Sequence, residues 1–267
     1  MPRIAIGDCH LYYERHGGGF PILLESGLAG HAYHWRDQIP VFAKHFDVIV
    51  HDQRGIGQSA HCRMAYTVER MAADVIELMD ALNVERAHLI GHSMGAAIAQ
   101  ILAIEHPDRL ASIVLAAGWT RSDPYFRRVF GMRREILTKL GAAAYLQSAS
   151  LLHYPPWWVA RNNETLQQNE AQNLATFPAP EIVASRIDAL LAFDRSAELA
   201  RIRTPCLVVG CEEDMVTPAY FSEELARLVP GAEVKMFPRG GHNFTQTMAR
   251  DFNLAVLPFL KAHSPLD

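Results

Sequence analysis

The chain has 267 residues, of which 49% are hydrophobic and 20% charged, with a net charge of −4 and a pI near 6.3. That length suits one α/β domain with room for an insertion and a large core. The balance excludes a disordered chain and argues against a nucleic-acid partner, since binders of nucleic acid carry a strongly basic face.

The first residues, Met1-Pro2-Arg3-Ile4-Ala5-Ile6, lack the long apolar stretch of a signal peptide and read as the start of a strand. No run of about eighteen apolar residues occurs, so neither a membrane span nor a membrane partner is expected. Cys9, Cys62, Cys206 and Cys211 form no Cys-x-x-Cys pair, and two of them lie in or beside apolar strands. Free thiols in a reducing cytoplasm are the simplest expectation. The histidines include no His-Glu-x-x-His spacing that would suggest zinc, and no metal or organic cofactor is expected.

Short apolar runs at 22–26 and 46–51 read as strands. Residues 67–82 then show helical periodicity through Val68, Met71, Ala72, Val75, Leu78, Met79 and Leu82, with Thr67 as the cap. A strand at 87–90, a helix after Gly95 and a strand at 111–116 follow. Strands separated by helices predict a mostly parallel sheet covered on both faces.

The alternation stops after Gly118. From Trp119 to about Ser196 the chain is helix-prone, broken by Pro155-Pro156 and by Phe177-Pro178-Ala179-Pro180. This predicts an inserted helical cap over 119–196, with residues 1–118 and 197–267 forming the core. Strand character returns at 204–210 and 232–237, and a last helix is expected over roughly 245–262.

Gly91-His92-Ser93-Met94-Gly95 sits between the strand at 87–90 and the helix that follows. Strand, sharp turn and helix are the context in which a serine is lifted from a parallel sheet as a nucleophile. Its flanking glycines are needed because a side chain there would collide with the neighbouring strand or helix. A serine hydroxyl needs a base, and the base needs an acid to orient it. Asp214 lies just past the strand at 204–210, and His242 follows the last strand in the turn Pro238-Arg239-Gly240-Gly241-His242. Both fall at the carboxyl edge of the sheet, where α/β proteins bind ligands. Glu212 and Glu213 are rival acids. Oxyanion donors are expected from the backbone N–H groups of Met94 and Leu28, the latter in the loop Ser26-Gly27-Leu28-Ala29-Gly30. His92, Asp52 and Arg54 read as structural.

These motifs, with Asp52-Gln53-Arg54-Gly55-Ile56-Gly57-Gln58-Ser59, resemble the α/β-hydrolase superfamily along nearly the whole chain. Ser26 departs from the histidine usual before that loop glycine. The core, through Asp37-Gln38-Ile39-Pro40-Val41-Phe42 and Asp80-Ala81-Leu82, is similar to 3-oxoadipate enol-lactonases. The cap, through Gly118-Trp119-Thr120-Arg121, Arg127-Arg128-Val129-Phe130 and Leu151-Leu152-His153-Tyr154-Pro155-Pro156-Trp157-Trp158, resembles RutD-type hydrolases of pyrimidine breakdown. The resemblance implies a serine hydrolase acting on a small molecule, with an amide or carbamate C–N bond favoured. An enol-lactone or ester comes next, then a C–C bond hydrolase. The fold also hosts cofactor-free oxygenases and ligand receptors, which a complete triad disfavours.

The basic residues Arg121, Arg127, Arg128, Arg133, Arg134 and Lys139 read as a solvated helix face. The sharper expectation is that one arginine pairs with a substrate carboxylate, with Arg121 and Arg128 as candidates and Trp157 as a pocket wall. A monomer or homodimer is expected.

Overall fold

Along each inner strand the side chains divide alternately between two buried layers, which is why the strands read as unbroken apolar runs. The computed structural model describes residues 2–265. Its strands are β1 (Arg3–Ile6), β2 (Cys9–Gly17), β3 (Pro21–Glu25), β4 (Asp47–His51), β5 (Ala87–His92), β6 (Leu110–Ala116), β7 (Cys206–Cys211) and β8 (Glu233–Phe237). They form one sheet in the order β1-β2-β4-β3-β5-β6-β7-β8. The pairings β1–β2 and β2–β4 are antiparallel and the rest are parallel. Leu23, Ile49, Leu89, Ile113 and Val208 join one buried cluster, whereas Ile22, Val48, Ile90, Val114 and Val209 join the other.

The helices are α1 (Ile39–Phe42), α2 (Val68–Ala81), α3 (Met94–Glu105), α4 (Pro124–His153), α5 (Pro156–Arg161), α6 (Asn163–Ala175), α7 (Pro180–Ala192), α8 (Ala219–Leu228), α9 (Phe244–Thr247) and α10 (Ala249–Ala262). Thr67 caps α2 as its sequence predicts, its side chain accepting the N–H of Arg70 at 3.0 Å. The last helix divides in two, because Met248 leaves helical geometry (φ −125°, ψ 35°) between α9 and α10.

The helices α4 to α7 interrupt the alternation between β6 and β7. Gly141, at φ +86° and ψ −178°, breaks α4 into two rods. Such a backbone strains any residue with a side chain. The inserted helices reach the sheet's carboxyl edge, where the carbonyl of His153 accepts the N–H of Asn243 at 3.0 Å.

Strand β2 has no counterpart in the sequence reading. Its residues CHLYYERHG place polar side chains at many positions, and only Cys9, Leu11 and Tyr12 are buried, so the apolar run that marks the inner strands is missing. The chain order also matters. β4 lies on one side of β3 and β5 on the other, so the loops after β3 and β5 part at a topological switch point, the usual place for a ligand crevice. Among the described residues no helix is long and apolar enough to cross a membrane, and the four cysteines are unpaired.

Candidate active site

At the end of β5 the chain turns through Ser93, which has φ +55° and ψ −117°. A non-glycine residue in that region stores roughly 1–3 kcal/mol of strain, kept only where the surroundings enforce it. Here the enforcement is visible. Ser93 N–H donates to the carbonyl of Ala116 at 2.8 Å. A Cβ on Gly91 would come closer than 3.0 Å to the Gly95 carbonyl, and one on Gly95 equally close to the carbonyl of Glu25. Strand, turn and helix therefore interlock at two glycines, and the serine is lifted to the sheet's edge.

The loop after β7 brings Asp214 to His242 in the loop after β8. His242 Nδ1 lies 2.8 Å from Asp214 Oδ2 and 3.1 Å from Oδ1. The carboxylate is further held by the N–H groups of Val216 at 2.7 Å and Thr217 at 2.9 Å, both donating to Oδ1. The Thr217 hydroxyl lies 2.9 Å from Asp214 Oδ2 and 3.0 Å from the Ala117 carbonyl, with one proton to give to either. These donors fix the plane of the carboxylate. Of the three acids in this loop, only Asp214 meets the imidazole. Glu213 is exposed and accepts instead from Gly240 N–H at 2.9 Å and Trp157 Nε1 at 3.2 Å.

Ser93 and His242 line one cavity of about 500 Å3, roofed by α4 and α6. No hydrogen bond joins Ser93 Oγ to His242 in this structure; such bonds commonly tighten only once substrate is present. Gly27 and Leu28 line the cavity on the other side. Gly27 packs so close that a Cβ there would lie 3.1 Å from Ser93 Cβ. Met94 is the first residue of α3, where an N–H has no acceptor within the helix. The Leu28 loop is tied down by Gly30 N–H to Gly27 O at 2.9 Å, Gln53 Nε2 to Ser26 O at 2.9 Å and Ser26 Oγ to His31 O at 2.8 Å.

Three more histidines surround His242. His92 stacks on His34, with centroids 4.7 Å apart, and tilts against His242 at 4.9 Å, while His153 lies 5.3 Å from His242. His92 Nε2 donates to the carbonyl of His242 at 2.9 Å. Burial first, and the His242 charge second, push His92 down to about 3. Burial and then neighbouring cations also hold His34 and His153 well below the usual histidine range. These three rings are therefore uncharged near neutral pH, and they form an aromatic wall beside His242.

Asp52 and Arg54 have structural partners. Asp52 accepts the N–H groups of Ala32 and Gln58, and Arg54 forks onto Asp74 at 2.7 and 2.8 Å. The expected pocket residues Arg121, Arg128 and Trp157 do not line the cavity that holds Ser93. Arg121 is exposed and lies 3.7 Å from Glu224, and Arg128 faces solvent. The Trp157 ring lies under the Arg239 guanidinium, 4.1 Å from its centroid. The basic residues of α4 are not one solvated face either, because Arg133 is buried and lines the cavity. Its sequence signal is helical spacing, since Arg133 falls on one face with Phe126, Val129, Phe130 and Leu137, all buried. His34 and His153 were hidden because His34 follows β3 and His153 ends α4, and the two meet only in the folded chain. Among the described residues no cluster of His, Cys, Asp and Glu could hold a metal.

The sequence profile described as alpha/beta hydrolase fold matches residues 21–245. A Caulobacter protein named "Putative carbamate hydrolase RutD" is 40% identical over 259 residues, covering 95% of this chain and 97% of that protein. A protein of the same name from Azorhizobium caulinodans is 39% identical, covering 97% and 98%. Among solved structures, the enol-lactonase from Burkholderia xenovorans superposes with a TM-score of 0.90 at 26% identity, covering 97% of this chain and all of that one (100%). A hydrolase from Pseudomonas aeruginosa gives 0.85 at 29% identity, covering 97% of each chain.

Proposed function

The chain belongs to the α/β-hydrolase family and is a hydrolase, and from that premise we propose that it is a serine hydrolase working through an acyl-enzyme on a small amide or carbamate C–N bond. The observation that carries this reading is the convergence on one cavity of a strained, raised Ser93 and a His242 held by Asp214.

Ser93 Oγ attacks the carbonyl carbon while His242 Nε2 takes its proton. Asp214 holds the opposite nitrogen as N–H, keeping the working tautomer and stabilising the imidazolium. The Met94 and Leu28 N–H groups receive the oxyanion of the tetrahedral intermediate. His242 then gives its proton to the leaving nitrogen, the C–N bond breaks, and the acyl group remains on Ser93. Water, deprotonated by His242, attacks that ester; the acid leaves and Ser93 regains its proton. The helices α4 to α7 act as a cap that encloses the substrate and sets its size. The choice of a C–N bond rests on the name carried by the relatives near 40% identity.

A second reading, hydrolysis of an enol-lactone or carboxylic ester by the same residues, is favoured by the likeness to the enol-lactonase. Steady-state kinetics on small carbamates, amides, lactones and esters separate the two. The first reading expects the highest kcat/KM on a C–N substrate, and a lactone preferred by 100-fold or more, on the order of 3 kcal/mol, would replace it with the second.

A further inference from the structure

Arg133 points inward from α4 and is 3% exposed. A buried guanidinium without a counter-charge is costly even after relaxation. Arginines in such places ordinarily meet a carboxylate. This one does not: no acidic side chain approaches within ion-pairing distance among the described residues. It has five N–H donors, and its protein partner is the Tyr145 hydroxyl, which accepts from Nη2 at 2.9 Å. Nε is buried without any acceptor. The planar group lies against two aromatic rings, 5.2 Å from the Phe130 centroid and 5.0 Å from that of Tyr145. Those rings fix its plane and keep water away, which strengthens any pairing it makes.

Its position decides what that pairing is. Arg133 and Tyr145 line the same cavity as Ser93 and His242. Glu170 also lines it, but it accepts the Ser150 hydroxyl at 2.6 Å and makes no ion pair with Arg133. Arg36, the other arginine of the lining, already has Asp37 at 3.9 Å and lies over the Tyr33 ring. Arg133 also contributes, after burial, to the low proton affinity of His153, so its uncompensated charge is felt inside the cavity.

We propose that Arg133, oriented by Tyr145 and Phe130, is the anion anchor of the catalytic cavity, and that the enzyme's substrates carry a free carboxylate besides the carbonyl that Ser93 attacks. The proposal rests on the serine-hydrolase reading for the second half of that statement only. The carboxylate supplies the missing counter-charge and two acceptors for the guanidinium fork. A neutral substrate of the same size leaves the guanidinium unpaired, so the site selects against it.

The test uses the full-length protein and two probes. Propionate binding is measured by isothermal titration on Ser93→Ala, with and without Arg133→Met. Hydrolysis of 4-acetoxybenzoate and of its neutral counterpart phenyl acetate is measured on the otherwise unaltered enzyme and on Arg133→Met. Loss of a desolvated charge-assisted pair predicts propionate binding weakened by about 10-fold or more. The kcat/KM ratio of the acidic to the neutral ester should fall by about as much, mainly through KM. Arg127→Met, on the exposed side of the same helix, should move neither by more than about 2-fold. Propionate bound equally well by folded Arg133→Met, or lost in Arg36→Met instead, overturns the proposal. If Arg133→Met fails to fold, Arg133→Lys decides: it keeps the charge without the fork, and unchanged propionate affinity overturns the proposal. If the protein cleaves neither ester, the propionate result still decides the anchor, and the serine-hydrolase reading is decided separately by whether a fluorophosphonate labels Ser93.

Discussion

Arg186, on the inserted helix α7, donates from Nη2 to the carbonyl of Leu28 at 3.1 Å and from Nε to the same oxygen at 3.3 Å. Its other amino group donates to the Arg54 carbonyl at 3.0 Å, and Nη2 also meets Gln53 Oε1. The side chain is fully buried. One cation therefore joins the inserted helices to the loop proposed to hold the oxyanion and to the turn after β4. Arg186→Met leaves three buried acceptors without that donor, and at roughly 1 kcal/mol or more each the loss is about 3 kcal/mol. Thermal melting should fall by several degrees, and kcat should fall more than KM rises. A variant with unchanged melting and turnover would remove this tie from the account.

Gly95 allows α3 to rest on the backbone of Glu25, with no room for a methyl group between them. The clash is with backbone, which cannot swing aside as a flexible side chain can. Gly95→Ala should therefore cost more than about 3 kcal/mol, the upper range for overpacking, and lower both soluble yield and melting temperature. A fully stable, active Gly95→Ala would show that the nucleophile turn is looser than its geometry states.

Asp214 and Glu213 are neighbours with opposite roles, and charge-removing variants should separate them. Asp214→Asn keeps an oxygen for the Val216 and Thr217 amides but can hold His242 in the wrong tautomer. We expect kcat to fall by on the order of 10³ to 10⁴. Glu213→Gln keeps an acceptor for Gly240 and Trp157 and should change kcat by less than about 3-fold. Equal losses would contradict the assignment of the acid.

Stability should fall in mild acid. His92 and His88 are held at about 3 and about 4, burial being the first cause in each, and His34 and His153 are also lowered. An unfolded chain takes up protons on these residues near pH 6.5 while the folded one does not, so stability is lost as pH falls from there toward 4. His51 works in the other direction. Burial opposes its protonation, but the charge of Glu25 prevails and raises it, so its contribution is present below pH 6.5 and is lost as pH rises through its folded value. Burial lowers His31 as well, and five lowered histidines outweigh one raised. Urea midpoints at pH 7 and pH 5 should differ by an amount worth several kcal/mol, and His92→Asn should shrink the difference. A midpoint unchanged or higher at pH 5 would contradict this.

The inner strands and the Ser93 turn were legible because each is written locally. A strand buried on both faces must be apolar throughout, as in Val48-Ile49-Val50. A serine turn squeezed between β5 and α3 must have glycine on both sides. Asp214 and His242 were legible for a related reason: each directly follows an apolar strand, so the sheet fixes where it lands. Strand β2 escaped because its exposed positions admit polar residues. The anion-binding arginine was expected at Arg121 or Arg128, yet the cavity takes Arg133. By charge alone the six basic residues of that stretch look alike; helical spacing sets Arg133 apart, on the buried face with Phe126, Phe130 and Leu137, and the rings of Phe130 and Tyr145 surround it. The imidazole wall was illegible because His34, His92 and His153 meet only in the folded chain.

Ser93, and no other residue, is proposed to carry the acyl group. Treating the protein with a fluorophosphonate and measuring intact mass tests it directly, because only an activated serine is modified quickly. One adduct per chain is expected, mapped to the peptide containing Ser93, with activity lost in proportion, and no adduct on Ser93→Ala, whose kcat falls by about 10³ or more. An Ser93→Ala protein that is labelled as fast as the unaltered one, or that turns over substrate at a similar rate, would contradict it.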